Sequence, residues 1–286
     1  MGINLDQGRL HHAFMGHHGQ MHSQPGVGTR PDTPVETRTG PKVGQDVTPA
    51  PEPLDSDRRQ QHYLPATSFR SRRSALSGAQ RETWERLWPR LGMSEIPRRS
   101  EPLDTRAWFG REAPLVLEIG CGSGTSTLAM AKDEPDVDVI AVEIYRRGLA
   151  QLLSAIDREQ VGNIRLIRAN AIDVLQYLIA PGLLSGVRVF FPDPWPKARH
   201  HKRRFLQPSA IGLIADRLLP GGVLHAATDH SGYAEQIAHV GDAEPRLCRV
   251  EPGSRLPIST ARPTTKYETK AQEAGSAVTE LIWKRR

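Results

Sequence analysis

From residue 114 onward, short apolar runs alternate with amphipathic stretches whose apolar residues recur at helical spacing. That alternation predicts βαβ units and a mostly parallel sheet covered by helices. The predicted strands are Leu115–Ile119, Val137–Val142, Ile164–Arg168, Val187–Phe191 and Gly222–Ala227, with a further apolar strand at Val278–Trp283. Helices are predicted near Thr125–Lys132, Arg146–Arg158, Ala171–Ile179, Gln207–Leu218, Tyr233–Val240 and Thr265–Ala274. Pro220-Gly221-Gly222 reads as a helix stop leading straight into the next strand. Upstream, a helix is predicted from Ser77, where Ser77 and Gln80 have capping-box spacing. Trp84 and Trp88 lie four apart on one face of it, which reads as core packing. A basic arm, Arg70-Ser71-Arg72-Arg73, precedes this helix.

The pattern fades toward the N-terminus. Residues 1–67 carry Pro25, Pro31, Pro34, Pro41, Pro49, Pro51 and Pro53 with almost no aliphatic periodicity. Such a segment buries too little surface to offset its ordering entropy, so a disordered extension is expected there, with one domain over 68–286. His11, His12, His17, His18 and His22 are irregularly spaced within it and read as a solvated tail, not a metal site.

Composition narrows the function. A formal net charge of +6 and a pI of about 9.6 suit a polyanionic partner. Cys121 and Cys248 form neither a disulfide framework nor a metal-ligand cluster, and Cys121 reads as a small residue that fits its loop. No apolar run approaches the ~20 residues of a bilayer span and no signal peptide is recognisable, so a cytoplasmic protein is expected.

Ligands of open α/β sheets bind outside the carboxyl ends of the strands, and the polar signals cluster there. The first strand runs into Glu118-Ile119-Gly120-Cys121-Gly122-Ser123-Gly124. Gly120 and Gly122 permit a tight turn and close backbone approach to a ligand. A dinucleotide fingerprint wants a third small residue three positions after Gly122, where this chain has Thr125. Glu118 would repel a pyrophosphate but suits a ligand bearing an ammonium group. S-adenosylmethionine is such a ligand. Glu143, ending the second strand, is placed for ribose hydroxyls, and Asn170, ending the third, offers a donor and an acceptor matching the adenine edge. A dinucleotide remains the alternative cofactor.

The fourth strand ends in Phe190-Phe191-Pro192-Asp193-Pro194-Trp195-Pro196. Prolines fix φ and remove donors, so Asp193 is held in one direction, and Trp195 is expected to pack and hold the turn. The turn resembles the Asp/Asn-Pro-Pro-aromatic turn that methyltransferases acting on nucleobase nitrogens often place at this strand end. At once follow Lys197, Arg199, His200, His201, Lys202, Arg203 and Arg204, a run whose natural counter-charge is RNA phosphate. Asp229 ends the fifth strand on the same crevice; the adjacent His230 reads as a packing or hydrogen-bonding residue, not a base. The segment Arg262-Pro263-Thr264-Thr265-Lys266-Tyr267-Glu268 combines cation, aromatic and carboxylate, which suits the edge and face of a purine and equally a capped helix start.

Three of these stretches, in order, resemble motifs of the tRNA (guanine-N7)-methyltransferases that modify a guanine in the variable loop: Glu118–Gly122, Phe190–His200 and Arg262–Glu268. The resemblance covers roughly residues 68–286. It implies a doubly wound, mostly parallel seven-stranded α/β sheet of the class I S-adenosylmethionine-dependent type, in a monomer or weak homodimer of the bacterial single-subunit kind. It implies cofactor contacts from Glu118, Gly120, Gly122, Glu143 and Asn170, and places Asp193 at the catalytic centre beside the cofactor. Substrate contacts are implied for Lys197, for Asp229, and for Thr265, Lys266, Tyr267 and Glu268, beside the phosphate contacts that charge alone suggests for Arg199, His200, His201, Lys202, Arg203 and Arg204. Asn170 stands where many relatives have Asp, and His230 where Trp is common. A methyltransferase for another RNA or a small molecule, or a non-catalytic RNA-binding module, are the competing functions. The basic run disfavours a small-molecule substrate, and the joint presence of Glu118, Gly120, Gly122 and Asp193 disfavours an inactive module.

Overall fold

Eight strands form one sheet in the computed structural model, which describes residues 75–94, 96, 101–250, 254–264, 268 and 277–286. In chain order they are β1 (Gly92–Met93), β2 (Leu115–Ile119), β3 (Asp138–Val142), β4 (Ile164–Ile167), β5 (Leu184–Phe190), β6 (Leu218–Thr228), β7 (Leu247–Arg249) and β8 (Thr279–Arg285). The helices are α1 (Gly78–Leu91), α2 (Thr105–Phe109), α3 (Thr125–Asp133), α4 (Arg146–Glu159), α5 (Ala171–Tyr177), α6 (Pro208–Arg217) and α7 (Ser231–Ala243), with a 3-10 helix at Ala198–Arg203. The basic arm at 70–73, the 1–67 extension with its boundary, and most of the helix expected over 265–274 lie outside the described residues.

The sheet runs β1-β4-β3-β2-β5-β6-β8-β7, parallel from β1 to β6 and antiparallel around β8. The seven expected strands become eight. Two strands are not among those predicted from the apolar pattern: β7, and β1, two residues long, which pairs Gly92 with Leu166 and Met93 with Ile167 at the β4 edge. β7 is nearly as short, and both lack a run long enough to be seen as periodicity. β6 starts earlier than expected: Pro220 and Gly221 lie inside it, and the β5–β6 register shifts between Leu184 and Gly186 to absorb them.

The central strands are buried on both faces, which is why they read as unbroken apolar runs. Leu115, Leu117 and Ile119 point into a core with Val174 and Leu175 of α5, Ile211 and Ile214 of α6, and Tyr233 and Ile237 of α7. Val116, Val139 and Ala141 point the other way, onto Trp84 and Leu87 of α1, Ala131 of α3, and Leu149, Leu152 and Leu153 of α4. The sheet is therefore doubly wound. The expected capping box is present in α1, with Ser77 Oγ accepting from Gln80 N and Gln80 Oε1 accepting from Ser77 N. Trp84 and Trp88 stack with centroids 3.9 Å apart, and Arg86 pairs in fork geometry with Asp157 of α4. The chain order reverses between β2 and β5, so the loops after these strands diverge and open a crevice at their carboxyl ends. No helix among the described residues is long and apolar enough to cross a membrane.

Candidate active site

One wall of the crevice is the loop after β2. Gly120 and Gly122 adopt φ of 74° and 57°, a region costly to any residue with a Cβ, and a Cβ built on either meets nothing within 4 Å. The loop is stitched to β3 by Gly120 N and Cys121 N, both donating to Val142 O, at 2.9 and 3.2 Å. Glu143 then organises it. Its Oε2 accepts from Gly122 N at 3.0 Å, and its Oε1 accepts from Ile144 N and Tyr145 N at 2.7 and 3.0 Å. The carboxylate retains acceptor capacity beyond these three bonds, which suits a vicinal diol. Gly148 of α4 packs so closely beneath the loop that a Cβ there would sit 2.3 Å from Gly122 O. Sequence inspection missed that glycine, whose signal, a glycine in the first turn of an amphipathic helix, is weak.

Glu118 is buried opposite Arg188 in the β2–β5 register, and its Oε2 has no hydrogen-bond partner. Burial pushes its carboxyl up to about 7, against the downward pull of Arg188. Arg188 is itself fully buried, donating to Glu134 Oε2 at 2.6 Å and to Ser259 O at 3.2 Å, while its Nε and Nη1 are unpartnered. A charged residue inside an apolar strand was the available signal for this cluster. An orphaned buried carboxylate beside an open glycine turn fits the ammonium of S-adenosylmethionine, and the Glu143 carboxylate fits its ribose. Burial, Glu118 and Glu143 hold the Cys121 thiol well above its ordinary range. Asn170 is the N-cap of α5, its Oδ1 accepting from Ile172 N at 2.9 Å, which commits part of the amide to holding the β4–α5 turn.

The facing wall is the loop after β5. Phe191 and Trp195 bracket Pro192-Asp193-Pro194 with φ of 50° and 43°, conformations that cost bulky residues about 1–3 kcal/mol each. The surroundings impose them. Phe191 N donates to Ala227 O at 2.8 Å, and Phe190 meets the His225 ring edge-on at 4.9 Å. Trp195 is held by His200, edge-on at 5.8 Å, and by the Arg203 guanidinium 5.1 Å over its ring. The expectation that Trp195 packs to hold the turn agrees with this. Asp193 is exposed at the apex.

The basic run divides. Lys197, Arg199 and Lys202 are exposed on or beside the 3-10 helix, and His200, His201 and Arg203 are half-buried. Partial burial and the cations Arg203, Arg199, Lys197 and Lys202 hold His200 below the ordinary imidazole range. Arg204, expected with the others among the phosphate contacts, is buried and turned inward: Nε donates to Pro194 O at 2.7 Å, and Nη1 to Gly232 O and Gln236 Oε1 at 3.2 and 2.6 Å. On the neighbouring strand, Asp229 is exposed just beyond β6, and His230 caps α7 through Nδ1, which accepts from Tyr233 N at 3.2 Å.

A strap over 254–264 carries the C-terminal motif toward the same place. Ile258 fills the space left by Gly186, Ser259 N donates to Glu134 Oε1 at 2.6 Å, and Arg262 lies 5.6 and 5.1 Å over Phe190 and Phe191. Arg262 bonds both oxygens of Glu268, at 2.7 and 2.8 Å, and Glu280 at 2.9 Å; Glu280 in turn meets His225 at 2.8 Å. Glu268, expected at the substrate, is thus buried in a pair with Arg262. Thr265, Lys266 and Tyr267 lie outside the described residues.

Residues 112–281 match the model of a family described as "Putative methyltransferase". The tRNA (guanine-N(7)-)-methyltransferase of Mycolicibacterium paratuberculosis (strain ATCC BAA-968 / K-10) is 69% identical over 277 residues, covering 95% of this chain and 100% of that one. The protein of the same name from Mycobacterium tuberculosis (strain ATCC 25618 / H37Rv) is 66% identical over 278 residues, covering 95% of this chain and 96% of its own. A solved structure of the aminoglycoside resistance methyltransferase NpmB1 aligns with TM-score 0.43 at 16% identity, covering 67% of this chain and 95% of that one. With two glycine-turn carboxylates on one wall of its crevice and a strained Asp-Pro loop on the other, this chain belongs to the tRNA (guanine-N7)-methyltransferase family.

Proposed function

We propose that the protein transfers a methyl group from S-adenosylmethionine to N7 of a guanine in the variable loop of tRNA. The observation that carries this reading is the meeting, at the sheet's reversal point, of the Glu118–Glu143 turn and the Asp193 loop with its exposed cations. When bound, S-adenosylmethionine supplies an electrophilic methyl group on a sulfonium. Glu118 receives the ammonium, Glu143 the ribose hydroxyls and Asn170 the adenine edge, while Gly120 and Gly122 let the backbone approach.

Guanine N7 presents an in-plane lone pair, so the site needs no strong base. Asp193 orients the purine and stabilises the positive charge that develops on it as N7 is methylated. Alignment carries most of the rate: well-oriented reactants can gain about 7–11 kcal/mol from proximity alone. Lys197, Arg199 and Lys202 meet phosphates, with Arg203 and His200 supporting Trp195 from behind. Asp229, Thr265, Lys266 and Tyr267 are the further substrate contacts, with Glu268 acting through Arg262. The protein works in the cytoplasm as a monomer or weak homodimer, its methyltransferase domain starting near residue 68.

Incubation with methyl-labelled S-adenosylmethionine and bulk tRNA, followed by borohydride–aniline cleavage, tests the reading. Strand scission at a guanine of the variable loop is expected. Label that stays off tRNA, or that enters it without scission, would refute it.

A further inference from the structure

We infer that Arg204 is a positioning residue for methyl transfer, fixing the Asp193 loop against the Asp229 turn instead of contacting tRNA. The inference rests on the function proposed above. Prolines hold φ at 192 and 194 but leave ψ free, so the direction of the Pro194 carbonyl is not set by the loop itself. Arg204 sets it, through the 2.7 Å bond from Nε to Pro194 O. From its other side the same guanidinium grips α7, at Gly232 O and Gln236 Oε1, and lies 4.8 Å over the Tyr233 ring. Tyr233 Oη accepts from Leu206 N at 3.0 Å, so the chain on both sides of the fork is fastened to one helix.

That helix begins at the His230 cap, immediately after Asp229. One planar group therefore spans the two adjacent strand ends that present Asp193 and Asp229. Its position shields it from phosphate, since Arg204 is 3% exposed, and among the described residues it makes no ion pair. All three of its acceptors are neutral, which marks a geometric clamp; a lysine keeps the charge but has no rigid fork to reach them together. The clamp has something to resist. Phe191 and Trp195 on either side are held at positive φ, so a loosened loop relaxes away from the productive arrangement.

The test compares wild type with Arg204→Lys, and with Arg204→Gln, which removes the charge, in single-turnover methyl transfer at saturating tRNA and cofactor. It adds tRNA affinity against salt and amide exchange at Phe191 and His200, whose N–H groups donate to Ala227 O and Lys197 O. Misplacement of a reacting group by about 1 Å can cost about a hundredfold, so a rate loss of that order is expected. Even in Arg204→Gln, affinity should stay within about twofold and the salt slope should not change, because Arg204 meets no phosphate. Exchange at Phe191 and His200 should quicken. A rate within about threefold of wild type for Arg204→Lys, or a weaker affinity with a shallower slope for Arg204→Gln, overturns the inference. Should Arg204→Lys not fold, Gln236→Leu removes one acceptor only; a smaller rate loss with an unchanged slope supports the clamp, and a wild-type rate refutes it. If wild type leaves tRNA unmethylated, the functional reading fails, while exchange at Phe191 and His200 still decides whether Arg204 holds the loop.

Discussion

Cofactor affinity should depend on pH through one buried carboxyl. Glu118 is raised from 4.5 to about 7, chiefly by burial, with Arg188 pulling the other way. At about 1.4 kcal/mol per pH unit, the folded protein loses roughly 3 kcal/mol in keeping that group ionised. In the unfolded chain the carboxyl ionises first, so this contribution lowers stability as pH rises from about 4.5 to about 7 and is constant beyond. A ligand ammonium at Oε2 reverses the preference, since it favours the ionised form and must expel the proton below pH 7. With a pKa near 7, about a tenth of the protein is ionised at pH 6 and about three quarters at pH 7.5. The dissociation constant of S-adenosylhomocysteine, which keeps the ammonium but has no methyl to transfer, should therefore be about eightfold higher at pH 6 than at pH 7.5.

Isothermal titration in buffers of different ionisation enthalpy reads both the affinity and the released proton. Glu118→Gln should flatten the pH dependence and weaken binding at pH 7.5 by about ten- to a hundredfold, the worth of a charge-assisted hydrogen bond. The same variant should raise the melting temperature of the ligand-free protein at pH 7.5, because the buried charge is gone. Wild-type affinities that differ by less than about twofold between pH 6 and 7.5 would refute the assignment of Glu118 to the ammonium.

Asp193→Ala should cut the single-turnover rate by about two to three orders of magnitude with little change in tRNA affinity, as expected for a group whose interaction strengthens as charge develops; parallel declines in rate and affinity would contradict this. Replacing Arg199 and Lys202 by Gln should lower the slope of log affinity against log salt by about 0.7–0.9 for each phosphate that is no longer neutralised, measured by filter binding across a salt series. Gly148→Ala should weaken S-adenosylhomocysteine binding sharply, because its Cβ would lie 2.3 Å from Gly122 O and displace the turn that Glu143 holds; unchanged affinity by titration would show that the turn can yield.

Much of the site was legible before folding because its signals are local. The strands at 115–119, 138–142 and 164–167 announced themselves by composition, since a strand buried on both faces can carry little else. Glu118, Glu143, Asn170 and Asp193 were found by standing at strand ends, where a parallel sheet presents its ligands. The strained turn was legible as a proline-bracketed carboxylate, although positive φ at Phe191 and Trp195 was not, because neither residue type favours it.

The residues themselves thus determined the sheet's parallel core, the two carboxylates of the glycine turn, the aspartate of the proline loop and the basic character beside it. Tertiary structure decided how the charges are spent. β8 returns between β6 and β7 from far along the chain, and no local pattern encodes that insertion. Five cations within eight positions look equivalent in sequence, yet folding exposes Lys197, Arg199 and Lys202, lays Arg203 over Trp195 and buries Arg204 on a carbonyl. Glu268, read in sequence as a purine contact, has both its oxygens bonded by Arg262, which no local pattern announces. A side chain's type is local, but its desolvation and its partner are set by residues distant in sequence, and those two quantities separate a binding group from a structural one.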